Sequence, residues 1–498
     1  MELQRRKRIR AVSYNTLRRR VEEHRATDLL VAIAQLNVHL QHVQYDRADR
    51  GRLPVSVQPF AVAGVARTAL VSWQDRSGRP VRDEDLVDMC RIYGNIDDPA
   101  LEGGPGIDRM RALLMKPAYE QFGGQEPLME NIGRTVVLLG DQAATTPGAP
   151  TASEWADGLG VTLEHFMRIG FMMHVAAVSN AGEISRETLQ KKDIAALFTP
   201  GTADEALKVV DRWFAAPPDR LQAEGRAEEK AARGAKKWAL NPLVAHPVVA
   251  LPDDRYVVPW PRLVLDRITP TGLYFIGREL FGNQFPSKLG GMFERYVGTQ
   301  LGLLEHAEVL PEIEYGKPVK KTVDHFVITP EAVVLVEVKA ARPIRSTRLG
   351  EPAGDEDTDK KVGYAYEQID RTAQMIRDGH PAVAAIPADR PLLGLVVTLE
   401  PFYLVNTELF AALIPRPSIP TTVASSHELE SVVATLQTEP DVGRRLLDAL
   451  TNPGEGGPRI EDAIADLEPL PNLLLDEAWE RFSAPWSDLD ARIASAEA

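Results

Sequence analysis

The chain has 498 residues, 44% of them hydrophobic and 26% charged, with a formal net charge of −14 and a single cysteine. That length exceeds one ordinary hydrophobic core, so two or three domains are expected. One cysteine, Cys90, excludes an intramolecular disulfide and any cysteine-based zinc site. No segment has the apolar length of a membrane span, and the opening MELQRRKRIR lacks an apolar signal core. A cytoplasmic protein with no membrane partner is the expectation.

Taken in chain order, residues 1–240 read as mainly helical. Leu17, Val21, Leu29, Leu30, Ile33 and Leu36 are spaced for an amphipathic start. Further helices are expected over 83–93, 109–122, 127–139, 153–178 and 203–216. Met1 to Arg25 carries nine Arg or Lys against three Glu, a net +6. Such a segment suits a phosphate backbone or a partner protein, and equally a solvated face. Thr162 to Glu187, with its small-residue turn Ser179-Asn-Ala-Gly182, has faint helix-turn-helix spacing. His39 and His42 lack matching ligands nearby and read as exposed polar residues. Gly103-Gly-Pro-Gly106 is a loop without the Gly-Lys-Ser/Thr of a P-loop. No G-x-S-x-G elbow or H-E-x-x-H helix occurs, so ATP-driven, serine-hydrolase and zinc-protease chemistries lack support.

Pro217-Pro218 and the charged run 225–237 predict a boundary. The expected partition is a helical recognition or partner domain (1–240), an α/β domain (241–410) and a short helical acidic C-terminal region (411–498). From Glu439 onward that last region holds fourteen acidic residues against five arginines, a net −9.

The middle segment carries the chemistry. Val323–Ile328 and Val333–Val338 are apolar-rich runs flanking a turn that contains Pro330, the pattern of a β-hairpin. If 329–332 is the loop, Ile328 pairs with Val333 and Asp324 falls opposite Glu337. Opposed residues share one sheet face at a Cβ separation of roughly 4.5–5.5 Å, where like charges destabilise. Lys339, two residues past Glu337, projects from the same face. A divalent cation explains why two carboxylates and a lysine are tolerated there, since a hard ion such as magnesium takes carboxylate, water and phosphate oxygens. The bland alternative is a half-exposed hairpin end with ordinary surface charges.

The flanks fit the first reading. A helix opening at Gly290 and reaching about Leu304 has Phe293, Val297, Leu301 and Leu304 as its apolar stripe. Glu294 lies at the edge of that stripe, and Gly298 permits close approach to a sheet. Residues 360–377 form a second helix with Val362, Tyr366, Ile369, Ala373 and Ile376 inward and Gln368 beside them. A strand over 392–399 follows.

This order of helix, three strands, helix and strand, with E…D…ExK along it, resembles the PD-(D/E)XK (restriction endonuclease-like) nuclease superfamily over roughly residues 285–405. The fold implied is multidomain α+β, with a restriction-endonuclease-like core made of a mixed sheet flanked by helices. The resemblance implies a metal-dependent nuclease acting on nucleic acid, DNA above all, in restriction or phage defence or in repair. Asp324 matches the first motif acid, although Val323 stands where the motif has proline. Glu337 and Lys339 match the (D/E)xK element, Glu294 the acid of the first core helix, and Gln368 a helix glutamine that positions water. Asp324, Glu337, Glu294 and the Val338 carbonyl are then the implied ligands of magnesium or manganese, with Lys339 activating water. Arg342, Arg345, Arg348, Lys320, Lys321, Lys360 and Lys361 are candidates for contacting phosphates, or simply solvated loop charges. A homodimer or a partner protein bound through the helical half is expected. The competing expectation is a catalytically idle nuclease-like domain in a nucleic-acid-binding or assembly protein.

Overall fold

The computed structural model describes residues 12–45, 56–96, 127–191, 201–232, 235–349, 352–411, 413–454 and 456–487, with a few short pieces between 110 and 119 and between 194 and 198. The sequence-based expectations for the first eleven residues, for Gly103–Gly106, for most of the 109–122 helix and for the last eleven residues of the acidic tail lie outside these. The architecture is mixed α and β, in two compact units that each draw on separated stretches of chain. One comprises Met1–Pro105, Ser153–Leu273 and Ser483–Ala498; the other comprises Gly106–Ala152 and Tyr274–Phe482. The linear partition at 240 and 410 is therefore replaced. Pro217-Pro218 does not end a domain: Pro218 starts a helix running to Ala231, as proline at a first helical turn and a following Ala/Glu/Lys-rich stretch allow.

The first unit is mainly helical. Its helices include Tyr14–Val21, Ala26–Tyr45, Pro59–Val71 and Asp83–Gly94. Pro59–Val71 is built mostly of small and branched apolar residues, and every position from Ala61 to Val71 is buried, as expected of a largely apolar helix; the buried Arg67 donates to the Lys236 and Lys237 carbonyls. The expected 153–178 helix is two helices, Ala152–Leu159 and Leu163–Ser179. Gly160 between them has φ +85, a conformation glycine adopts at little cost. After Ser179 comes a strand, Glu183–Ser185, and then a five-residue helix, so the helix-turn-helix spacing does not form that motif. Glu183–Ser185 joins a four-stranded sheet with three other short strands, which periodicity over so few residues does not announce. His39 is exposed.

The second unit is built on a five-stranded mixed sheet. Its strands are β1 (Glu308–Pro311), β2 (His325–Ile328), β3 (Val333–Lys339), β4 (Leu392–Thr398) and β5 (Thr421–Ser425). They lie side by side in chain order, with β3 central. β1, β2 and β3 pair antiparallel, whereas β4 and β5 continue parallel to β3. The helices used below are α1 (Leu128–Val136), α2 (Phe285–Leu301), α3 (Tyr364–Arg377) and α4 (Ser426–Leu436).

Helices cover both faces, and this accounts for the near-continuous apolar runs of β3 and β4. Val327, Val334, Val336, Leu393 and Leu395 meet Leu301 of α2 and Leu429, Val432 and Val433 of α4. On the opposite face Phe326, Ile328, Val333, Leu335 and Val396 share a core with Ala365, Tyr366, Ile369, Ala373 and Ile376 of α3. The region after 410, expected to be helical, contributes β5 and α4 to this unit. The five residues TTVAS of β5 are all buried, so they lack the alternation that marks a half-exposed strand.

Candidate active site at the end of the central strand

The hairpin register is the expected one: Ile328 pairs with Val333 and His325 with Val336. Continued by one step, it sets Asp324 beside Glu337. Asp324 sits in a bend just before β2, and its Oδ2 accepts a hydrogen bond from the Val338 N–H at 2.7 Å. Glu337 shares the α3 side of β3 with Val333 and Leu335 by strand alternation, and is only 1% exposed. Lys339 donates from Nζ to Glu337 Oε1 and, at 3.1 Å, to Gln368 Oε1 on α3. Lys339 Nζ also lies 5.3 Å from the centre of the Tyr364 ring, which is 52% exposed. Asp324, Glu337, Lys339 and Gln368, spread over 45 positions of sequence, thus meet at the end of β3.

Glu294 is half-buried on α2. His325 holds this stretch in place, its Nε2 donating to the Glu294 carbonyl at 3.1 Å. Gly298 is what lets α2 come so close: a Cβ there would stand 2.7 Å from His325 Cε1. A residue that sequence reasoning missed also belongs here. Glu312, just past β1, pairs with Lys321 at 2.6 Å and acts on both Asp324 and Glu294. Its signal was available, an acid between the apolar Leu310 and Ile313 one strand before the hairpin, but only the β1–β2 pairing brings it to the cluster.

Electrostatics bind these acids together. Burial, and then the neighbouring Asp324 charge, pushes Glu337 up to about 8; Lys339 opposes this, and Glu294 adds to it. Burial raises Asp324 as well, with the Val338 N–H and Lys339 pulling the other way. Glu294 is raised by burial, then by Asp324 and Glu312. Three carboxyl groups displaced upward in one place mark a site short of positive charge. Glu337 Oε2 is buried and has no hydrogen-bond partner among the described residues, a costly state for a carboxylate oxygen unless something binds it. The acidic groups, all carboxylate oxygen, suit a hard divalent ion.

Among the described residues, the only group of three His, Cys, Asp or Glu ligand atoms within 4.8 Å of one another lies elsewhere, at Glu130, His427 and Glu430. Both oxygens of Glu430 are already committed there, to Arg134 at 2.6 Å each and to the Tyr296 hydroxyl. That cluster is an internal ion pair of the α1–α2–α4 packing.

The basic residues separate into two sets. Arg342 is paired with Glu400 and stacked on Tyr274 and Phe275 at 4.6 and 4.7 Å. Arg348 reaches the other oxygen of Glu400 at 2.7 Å and lies 5.5 Å from the Tyr119 ring centre. Lys361 donates to the Arg342 carbonyl and to Asp357. These three brace the segment after β3, and their charges face protein groups. Lys320 and Lys360 are exposed, Arg345 is half-buried, and Lys321 is held by Glu312.

Comparison of the chain with protein-family models, with curated proteins and with solved structures finds no match in any of the three.

Proposed function

We propose that this protein is a metal-dependent nuclease whose centre is formed by Asp324, Glu337 and Lys339, with Glu294, Glu312 and Gln368 around them. The observation that carries the reading is the meeting of Asp324, Glu337 and Lys339 at the end of the central strand while one buried Glu337 oxygen has no partner among the described residues. The order α2–β1–β2–β3–α3–β4 agrees with the arrangement expected of PD-(D/E)XK enzymes. Asp324, Glu337 and the Val338 carbonyl would hold magnesium or manganese, with Glu294 and Glu312 in reach of bound water. When bound, such an ion supplies Lewis-acid charge and makes water a competent nucleophile near neutral pH.

The chain's own groups do the rest. The Val338 N–H fixes the Asp324 carboxylate in one orientation. Gln368 steadies Lys339 from α3, so that the ammonium stands where negative charge grows on a phosphate under attack. The pairing of Lys339 with Glu337 favours a second reading, an idle scaffold in which lysine permanently occupies the cation's place.

Cleavage of supercoiled plasmid, linear duplex, single-stranded DNA and RNA, each with Mg²⁺, Mn²⁺ or EDTA, separates the two. Metal-dependent cutting is expected, reduced at least about a hundredfold in Lys339→Ala and in Asp324→Ala, with thermal unfolding still cooperative in both. A protein that neither cuts any of these substrates nor binds Mn²⁺ in a calorimetric titration is the idle scaffold.

A further inference from the structure

We infer that the first unit carries a separate binding site for a nucleotide phosphate, in a cavity of about 700 Å³ lined from the helices Tyr14–Val21 and Pro218–Ala231 and from the segment Ser72–Arg76 that follows the helix Pro59–Val71. That volume is within the range of roughly 300–1,000 Å³ typical of small-molecule pockets. Its lining is cationic: Arg18, Arg76, Arg226, Lys230 and Lys236 face two carboxylates, Glu22 and Glu229.

The carboxylates are already used. Glu229 is buried, accepts from the Tyr14 hydroxyl at 2.5 Å, and has Arg18 and Lys236 at 3.8 and 3.9 Å. Glu22 lies 3.8 Å from Arg18. Among the described residues, Arg76, Arg226 and Lys230 have no carboxylate within ion-pair distance, although they share one cavity. Arg226 and Lys230 are four apart on one helix, where like charges repel. Gathering unpaired cations in one concave place raises the local potential and favours an anion.

The mouth is built to a fixed shape. Gln222 donates from Nε2 to the carbonyls of Val71 and Trp73 at 3.3 and 2.9 Å, and Arg226 donates from Nε to the Val71 carbonyl at 3.2 Å. These bonds tie the turn after Pro59–Val71 to the helix bearing the cations. Trp73 lines the same cavity while packing partly against the core, and its indole is the group on which a base would stack. Phosphate among cations beside an indole is the chemistry of a nucleotide, whether free or at the phosphorylated end of a nucleic acid. The site does not depend on the carboxylate cluster of the other unit.

Calorimetric titration of the full chain at low ionic strength tests this with inorganic phosphate, ATP, and one oligonucleotide bearing either a 5′-phosphate or a 5′-hydroxyl. Saturable binding of ATP or of the 5′-phosphorylated strand is expected, weakened at least about tenfold in the double variant Arg226→Gln/Lys230→Gln, a loss of about 1.4 kcal/mol. Trp73→Ala should weaken ATP more than inorganic phosphate. Lys208→Gln, an exposed change on another helix, should alter nothing. Because the substituted cations are exposed, melting temperature serves as the folding control. Tighter binding of ATP identifies a free nucleotide as the source, and tighter binding of the 5′-phosphorylated strand identifies a nucleic-acid end. The inference is overturned if no phosphate compound binds, if the two oligonucleotides bind alike while ATP does not, or if the folded double variant binds undiminished.

Discussion

Replacing Glu337 by glutamine should stabilise the metal-free protein at neutral and alkaline pH and have little effect in acid. A carboxyl whose folded-state pKa lies above its unfolded one binds more protons when folded, so stability falls as pH rises between the two values. For Glu337 those bounds are 4.5 and about 8. At about 1.36 kcal/mol per pH unit, the cost of the charged form has a ceiling of about 5 kcal/mol above pH 8 and about 3 kcal/mol at pH 7. Relaxation and water entry around the half-exposed Lys339 reduce this, and about 2 kcal/mol at pH 7.5 is a reasonable expectation. For a unit of this size that corresponds to roughly 4–8 °C in Tm. Thermal unfolding of wild type and Glu337→Gln in EDTA, from pH 4.5 to 8.5, should give curves that meet at the acid end and diverge upward. Adding Mn²⁺ should reverse the order at pH 8, since wild type gains a ligand-bound state that the variant lacks. Curves that stay parallel across the whole range, or a variant less stable than wild type at pH 8 in EDTA, would refute the account of Glu337 as a buried charge awaiting a cation.

Other consequences follow from the same geometry. Gly298→Ala drives a methyl to 2.7 Å from the His325 ring and should cost about 1–3 kcal/mol by overpacking. A stabilising effect in urea unfolding, the usual result of Gly→Ala in a helix, would show that α2 has room to move. Arg134→Met leaves Glu430, 1% exposed, with the Tyr296 hydroxyl as its remaining side-chain hydrogen bond among the described residues. A loss of about 3–5 kcal/mol is expected for breaking a buried pair from one side, and a loss below about 1 kcal/mol would mean that water reaches Glu430. Glu312→Gln removes one of the charges raising Glu294 and Asp324. The acid limb of the cleavage pH profile should then move to lower pH, and an unmoved limb would place Glu312 outside the working site.

The local pattern by itself determined the parts of this protein that depend on near neighbours. The Val323–Val338 hairpin and its register follow from a four-residue turn between two apolar runs, which leaves one pairing that buries both. The helices around Phe293 and Ile369 follow from apolar spacing, and the place of Gly298 against a strand follows from its lack of a side chain. Asp324, Glu337 and Lys339 were legible as a unit because hairpin pairing and strand alternation are short-range rules.

What depended on distant chain was decided only in the tertiary structure. Glu312 joins the cluster through β1, and β5 completes the sheet from beyond position 420, where an entirely buried strand has no alternation to read. The arginines after β3 looked free in sequence, yet Arg342 and Arg348 converge on Glu400, more than fifty residues away. The interleaved division into two units has the same origin: which segments share a core is set by long-range burial of apolar faces, to which the order of residues along the chain is a poor guide.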